Sequence, residues 1–387
     1  MDNSIIKKLI KNLFDKPLEN NNKSLFVNRE NEFQMLDRIL NFQPQGVYGL
    51  CGETGIGKTS FLNTTLDYEI KSYFLAITEK ENKEIIIADL LFKLCTYISK
   101  QEKGKLKSLA EETRKWIIEE THVSRSFQVG FNAVASGGVA KGSSNVQRFN
   151  LFEAKERLFE ILTLVRDKHD KVLLIIDELD KEKKDEVLLI LDSLKQILFQ
   201  DDLITVVSLP FSIYREYAKD VMRWNETGNL ENIFRDMFFL NPLNEDEIRE
   251  MLLKRMAENN TLLSNEVFHE IYRYSDGNPR DALSITQEII LDNRRKGFTR
   301  ENVLSTIKAK VKRLISSTTE FTDIQKKILR SIADNPGKRS DIVNQLDFLK
   351  NQTVYTYINR FLNNGVLKET DGIIRLSGRF YYYFQDS

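Results

Sequence analysis

Two short stretches of this 387-residue chain hold side chains suited to phosphate chemistry. In GLCGETGIGKTSFLN, residues 49–63, Gly52, Gly55, Gly57, Lys58 and Thr59 satisfy the spacing Gly-x-x-x-x-Gly-Lys-Ser/Thr. Glycines let a backbone curl so that successive N–H groups point inward at phosphate oxygens. The lysine of such a loop reaches the β- and γ-phosphates, and the hydroxyl after it takes a Mg²⁺ position. Gly52, Glu53, Thr54, Gly55, Ile56, Gly57, Lys58, Thr59 and Ser60 therefore form the expected cradle for ATP. The second stretch, KVLLIIDELDK at 171–181, ends the apolar run Val172 to Ile176 in Asp177 and Glu178. Asp177 suits the Mg²⁺ shell beside Thr59, and Glu178 suits a general base that orients and polarises the attacking water. Asp180 is a secondary candidate. The acidic pair predicts a hydrolase rather than a binder alone.

The surrounding residues predict the elements that hold these groups. GVYGL reads as a buried strand before the loop and TSFLNTTL as a helix after it, whose N-terminal end adds to the anion site. An apolar run ending in acid reads as a central parallel strand with its ligand groups at the carboxyl end, so the class is α/β. The 57 basic residues balance the 57 acidic ones, which excludes a protein that coats nucleic acid through bulk charge. Cys51 and Cys95 lie in apolar company without metal-ligand spacing, as in a reduced intracellular protein. No apolar run approaches the ~18 residues of a membrane span. MDNSIIKKLIKNLF has no cleavage site, so the expected location is cytoplasmic. In that segment Ile5, Ile6, Leu9, Ile10, Leu13 and Phe14 form one helical stripe, fit to pack on the chain's own core or to dock on a partner or membrane surface. LENNNKS reads as a short linker. His122, His169 and His269 are scattered and suggest no second catalytic centre.

With these motifs in place, the chain resembles an AAA+ ATPase of the initiator and origin-recognition type. It is similar also to STAND and archaeal-type P-loop ATPases. FVNRENEFQMLDRIL, residues 26–40, resembles the family's opening box, whose loop sits near the adenine; Asn28 replaces the usual glycine. LITVVSLP, residues 203–210, matches the strand that carries the polar sensor 1 residue, which puts Ser208 in that role. NIFRDMFFLNPLNEDEIREML resembles the last core strand and the start of a helical lid, with Arg235 where an arginine finger often stands. SDGNPRDAL, residues 275–283, resembles the sensor 2 motif, with Arg280 aimed at the γ-phosphate. The resemblance implies a P-loop NTPase (ASCE/AAA+) parallel sheet with a helical lid. It covers roughly residues 23–300 and implies a core over 23–242 and a lid over 243–316; residues 1–22, outside it, read as an N-terminal amphipathic helix and linker. A finger acting in trans implies a homo-oligomer. The Ser-Gly-Gly at 136–138 is faintly like the signature of ABC-type ATPases, but more glycine and serine follow it instead of a helix, and that branch is rejected.

Asp177 stands 119 positions after Lys58, more than a compact core needs, and the surplus falls at about 104–150. There Phe127, Val129 and Phe131 alternate before a glycine-rich run, which predicts a projecting β-hairpin or loop. The tail, 317–387, offers three helical patterns and then VLKETDGIIRLSGRFYYYF, alternating about a Thr-Asp-Gly turn. That is the order of a winged helix, whose third helix would present Gln352, Thr353, Thr356 and Arg360 to double-stranded DNA. Ten Lys and Arg against seven Asp and Glu from 322 to 387 make a modest cationic footprint. Three functions stay open: an ATPase switch engaging DNA, a STAND-type signalling ATPase that oligomerises on ATP and acts on a separate effector protein, or a nucleotide-dependent scaffold that hydrolyses slowly or not at all.

Overall fold

The computed structural model describes residues 2–64, 69–78, 82–134, 150–179, 184–222, 230–318 and 320–384, with backbone alone at 20, 21, 23, 121–134, 184 and 318. Helix α1 (Asn3–Asn12) leads through a 3₁₀ segment (Asn20–Leu25), where a linker was expected, into α2 (Glu30–Phe42). There follow β1 (Gly46–Cys51), α3 (Lys58–Thr64), β2 (Lys71–Ala76), α4 (Lys83–Gln101), α5 (Lys105–Val134) and α6 (Leu151–Lys168). Next come β3 (Val172–Asp177), α7 (Lys184–Leu198), β4 (Leu203–Leu209), α8 (Phe211–Val221), α9 (Leu230–Ile233) and β5 (Asp236–Phe239). The five strands form one sheet in the order β2-β3-β4-β1-β5, and every pair is parallel. Parallel neighbours need crossovers, which the intervening helices supply. β3 and β4 are buried along their whole length, which is why both read as unbroken apolar runs.

Leu36, Leu40, Phe61 and Leu62 of α2 and α3 cover one face of the sheet, over Ile175 and Val206. The other face packs on α4, α5, α6 and α7 through residues such as Leu91, Leu158 and Leu191. The expected hairpin at Phe127 to Phe131 is corrected here: the backbone stays helical from Lys105 to Val134. Leu106, Ala110, Thr113 and Ile117 are all buried, a helical stripe that outweighs three alternating residues further on. The Ser-Gly-Gly run lies outside the described residues.

Beyond β5, α10 (Glu245–Met256), α11 (Asn265–Ser275), α12 (Pro279–Asn293) and α13 (Arg300–Thr318) share a separate core. Ile6, Leu9 and Leu13 of the N-terminal segment are buried in it, so its stripe packs on the chain itself, with Phe14 left 62% exposed. The last part comprises α14 (Asp323–Asp334), α15 (Arg339–Gln345) and α16 (Asn351–Asn363), then an antiparallel hairpin of β6 (Leu367–Thr370) and β7 (Ile373–Leu376). Asp371 and Gly372 turn that hairpin with φ of +52° and +76°, as a tight turn of this kind requires. RFYYYF does not continue β7 but forms α17 (Gly378–Phe384). Its Tyr382 is buried among α11 and α13 while Phe384 completes the C-terminal core. Tyr382 Oη donates to Glu270 Oε2 at 2.5 Å, joining the two units. No helix among the described residues is long and apolar enough to cross a membrane.

Candidate nucleotide site

The phosphate loop turns away from β1 at the carboxyl end of the sheet. Gly55 holds φ +86°, and a Cβ there would stand 2.8 Å from Asn278 Oδ1 and 2.9 Å from Arg280 Cβ, so the position admits only glycine. Lys58 begins α3 and is 5% exposed. Its Nζ donates to the carbonyls of Gly52, at 2.9 Å, and Glu53, at 3.1 Å, which lays the side chain along the loop.

Two residues expected at the metal position are in contact: Thr59 Oγ1 donates to Asp177 Oδ2 at 2.7 Å. Asp177 is buried at the end of β3, and its Oδ1 accepts the backbone N–H of Glu178 at 2.8 Å. Glu178 has φ +73°, a conformation that costs a residue with a Cβ about 1 kcal/mol and turns its side chain out of the strand direction. Among the described residues no group of three or more His, Cys, Asp or Glu is placed to hold a metal ion by itself. Mg²⁺ at triphosphate sites takes one or two protein oxygens beside phosphate and water, and the Thr59–Asp177 pair fits that demand. Asp180 lies outside the described residues.

The four-helix unit closes on the loop from α12. Asn278 caps that helix, accepting from the N–H groups of Arg280 and Asp281, and its Nδ2 donates to Thr54 O at 2.9 Å. Arg280 N donates to Gly55 O at 3.4 Å. Pro279 at the first helical turn suits this start. Gly277, φ +78°, lies so close to the chain leaving β5 that a Cβ would meet Leu243 O at 2.1 Å. The Arg280 side chain pairs with Asp15, Nε to Oδ2 at 2.5 Å. Asn28, standing where the resembling family has glycine, takes φ +36°, which asparagine tolerates, and its Nδ2 donates to Glu247 of α10. Phe26, Val27, Leu18, Ile56 and Pro279 line a cavity of about 60 Å³ beside the loop. Ligand pockets begin at about 300 Å³, so a nucleoside seated there requires the N-terminal segment or the four-helix unit to give way.

Ser208 is opposite Leu50, one residue short of the end of β4, and its buried hydroxyl has no hydrogen-bond partner among the described residues. Arg235 is elsewhere. Its N–H donates to Val47 O and its side chain lies against Gly46, at the amino end of the strands, opposite the phosphate loop. Three further residues at the loop, Asn278, Asp15 and Lys368, are not among those that sequence spacing singles out. Asn-Pro is a legible helix start and could have marked Asn278; nothing local marks the other two. Lys368 of β6 lies 3.6 Å from Glu53 and 3.7 Å from Asp276, while Arg375 of β7 reaches Asp276 at 2.6 Å.

A family model described as an ATPase domain predominantly from Archaea matches residues 26–285. Comparison with curated proteins gives no match. Among solved structures, the Walker-type ATPase PABY2304 of Pyrococcus abyssi matches with a TM-score of 0.55 at 16% identity, over 96% of this chain and 99% of that one. The RuvB Holliday junction branch migration motor of Thermotoga maritima matches with a TM-score of 0.41 at 15% identity, over 93% and 95%. The STAND protein PH0952 of Pyrococcus horikoshii, with its tetratricopeptide repeat sensor, matches at 0.36 and 14%, over 93% of this chain and 42% of that one. At such identities the Pyrococcus abyssi match is a likeness of fold alone.

Proposed function

The chain belongs to the family of ATPase domains predominantly from Archaea, and from that premise we propose that it works as a Mg²⁺-dependent, nucleotide-controlled switch. It is a P-loop enzyme that hydrolyses ATP. The amides from Gly52 to Ser60 hold the phosphates, and Lys58 reaches the β- and γ-phosphate oxygens. Thr59 and Asp177 would hold Mg²⁺, which would neutralise charge on the phosphates. Glu178 orients the attacking water and takes up its proton. Ser208 offers its hydroxyl from β4, and Arg280 reads the γ-phosphate from the lid, residues 243–316. The core spans 23–242. The observation that carries the switch is the pair of lid contacts on the loop itself, Asn278 to Thr54 and Arg280 to Gly55. A change at the phosphates moves the lid.

The tail, 317–387, is read as a winged helix carried by that lid. Gln352, Thr353, Thr356 and Arg360 on α16 are exposed, which supports double-stranded DNA as the target of that helix. Arg235, remote from the phosphates of its own chain, is assigned as a finger for a neighbour in a head-to-tail oligomer. A second reading is a switch acting on an effector protein. It is favoured by the hairpin, whose Lys368 and Arg375 are paired with Asp276 and Glu53 rather than turned outward. ATP turnover of wild type and Glu178→Gln, with and without mixed-sequence duplex, tests both. Turnover that DNA raises, and that needs Arg360, supports the first reading. Turnover indifferent to DNA removes it in favour of the second.

A further inference from the structure

We propose that Asp15 is a positioning residue for Arg280, holding it by an ion pair that a third phosphate must displace. The proposal rests on the reading of Arg280 given above. The N-terminal segment is anchored at both ends of the nucleotide cleft. On the lid side, Arg255 Nη1 donates to Asn12 O at 3.2 Å and Phe14 O at 3.4 Å, and Gln287 Nε2 donates to Ile10 O at 3.2 Å. On the core side, Leu18 N donates to Ser60 Oγ at 3.0 Å, and Asn63 Nδ2 donates to Leu18 O at 2.9 Å. Ser60 belongs to the phosphate-loop helix itself. Asp15 falls between these anchors and takes the Arg280 guanidinium at 2.5 Å.

The Arg280 backbone already touches Gly55 O, so its side chain needs only to swing from the carboxylate toward the loop. A guanidinium binds carboxylate and phosphate through the same planar fork, so the two compete for it. The Arg280 and Asp15 side chains are 47% and 41% exposed, which makes the pair weak and exchangeable, as a competitor must be and a structural lock need not. A nucleoside diphosphate, even where its nucleoside displaces Leu18 beside the loop, brings no third phosphate to compete for Arg280 and leaves the pair in place. A triphosphate draws Arg280 off Asp15 and loosens the segment that ties lid to core. By reciprocity, whatever loosens that segment favours the triphosphate.

Dissociation constants for ADP and for the slowly hydrolysed analogue ATPγS, with Mg²⁺, on the full chain test this. The variants are Asp15→Asn, Asp15→Glu, Arg280→Ala and the double variant Asp15→Asn/Arg280→Ala. Asp15→Asn is expected to tighten ATPγS about two- to five-fold with ADP unchanged, an effect that shrinks at high ionic strength. Asp15→Glu should return the ratio toward wild type, and in the Arg280→Ala background Asp15→Asn should do nothing. Equal changes for both nucleotides, or an effect that survives Arg280→Ala, overturn the proposal. If Arg280→Ala abolishes the preference for ATPγS while Asp15→Asn is silent, only the Asp15 assignment falls. If Arg280→Ala leaves the preference intact, the reading of Arg280 falls and takes Asp15 with it.

Discussion

The two ends of the sheet each bury an acid, and they treat it in opposite ways. At the amino end, Glu102 caps α4 with its side chain 3% exposed and meets three basic groups: Lys71 at 2.8 Å, His169 at 3.3 Å and Lys168. Burial pushes its carboxyl up, but the Lys168 and Lys71 contacts outweigh that, and the group is held at about 2. At the carboxyl end, Asp177 meets a hydroxyl and a backbone amide. Saturation with cations makes an acid a structural fixture. An acid met by a hydroxyl and an amide has no such cationic lock among the described residues, which is what the proposed Mg²⁺ role needs.

Substitutions at the two ends should therefore separate cleanly in what they change. The largest effect is expected from Glu178→Gln: a fall of about 10²–10⁴ in kcat with ATP affinity within a few-fold of wild type, read by steady-state turnover and nucleotide titration. An unaltered kcat would remove Glu178 from the chemistry.

Glu102→Gln should leave kcat near wild type but cost about 2–3 kcal/mol at neutral pH, seen as a lower urea midpoint. The sign of its pH dependence follows from the depressed value. A carboxyl lowered from 4.5 to about 2 on folding stabilises fully above pH 4.5, and that contribution fades as pH falls through the window to about 2. Wild type and Glu102→Gln should converge in stability there, and a gap that stays constant would contradict the pairing.

Asp177→Asn is expected to raise the Mg²⁺ concentration for half-maximal turnover about 10–100-fold, with thermal stability little changed. Asp276 is a third, intermediate case. It takes Arg375 at 2.6 Å and the Gly378 amide at 2.7 Å, yet joins two parts of the chain instead of closing one. Asp276→Asn should cost about 1 kcal/mol and make the residues after 320 more open to proteolysis, measured by limited digestion.

The acid at the carboxyl end is legible in the sequence alone, because Asp177 and Glu178 terminate an apolar run in a chain that also carries a spaced glycine-lysine motif. Glu102 is not, since its partners come from β2 and from the end of α6, far along the chain. In the sequence the α5 helix is obscured by three alternating residues, although Leu106, Ala110, Thr113 and Ile117 carry the helical period. The α17 helix was hidden because RFYYYF suits a strand locally and is helical through its packing on α11 and α13.

What the sequence determined by itself was the chemistry that local spacing encodes. The curl of the phosphate loop, the strand that delivers Asp177 and Glu178, the hairpin turn at Asp371 and the α/β class all depend on residues within a few positions of one another. Only the tertiary structure decided which remote groups face that loop: Asp15 on Arg280, Asn278 on Thr54, Lys368 on Glu53. Those contacts join residues more than two hundred positions apart, formed when separate cores dock, and no periodicity or motif records which charged surface meets which.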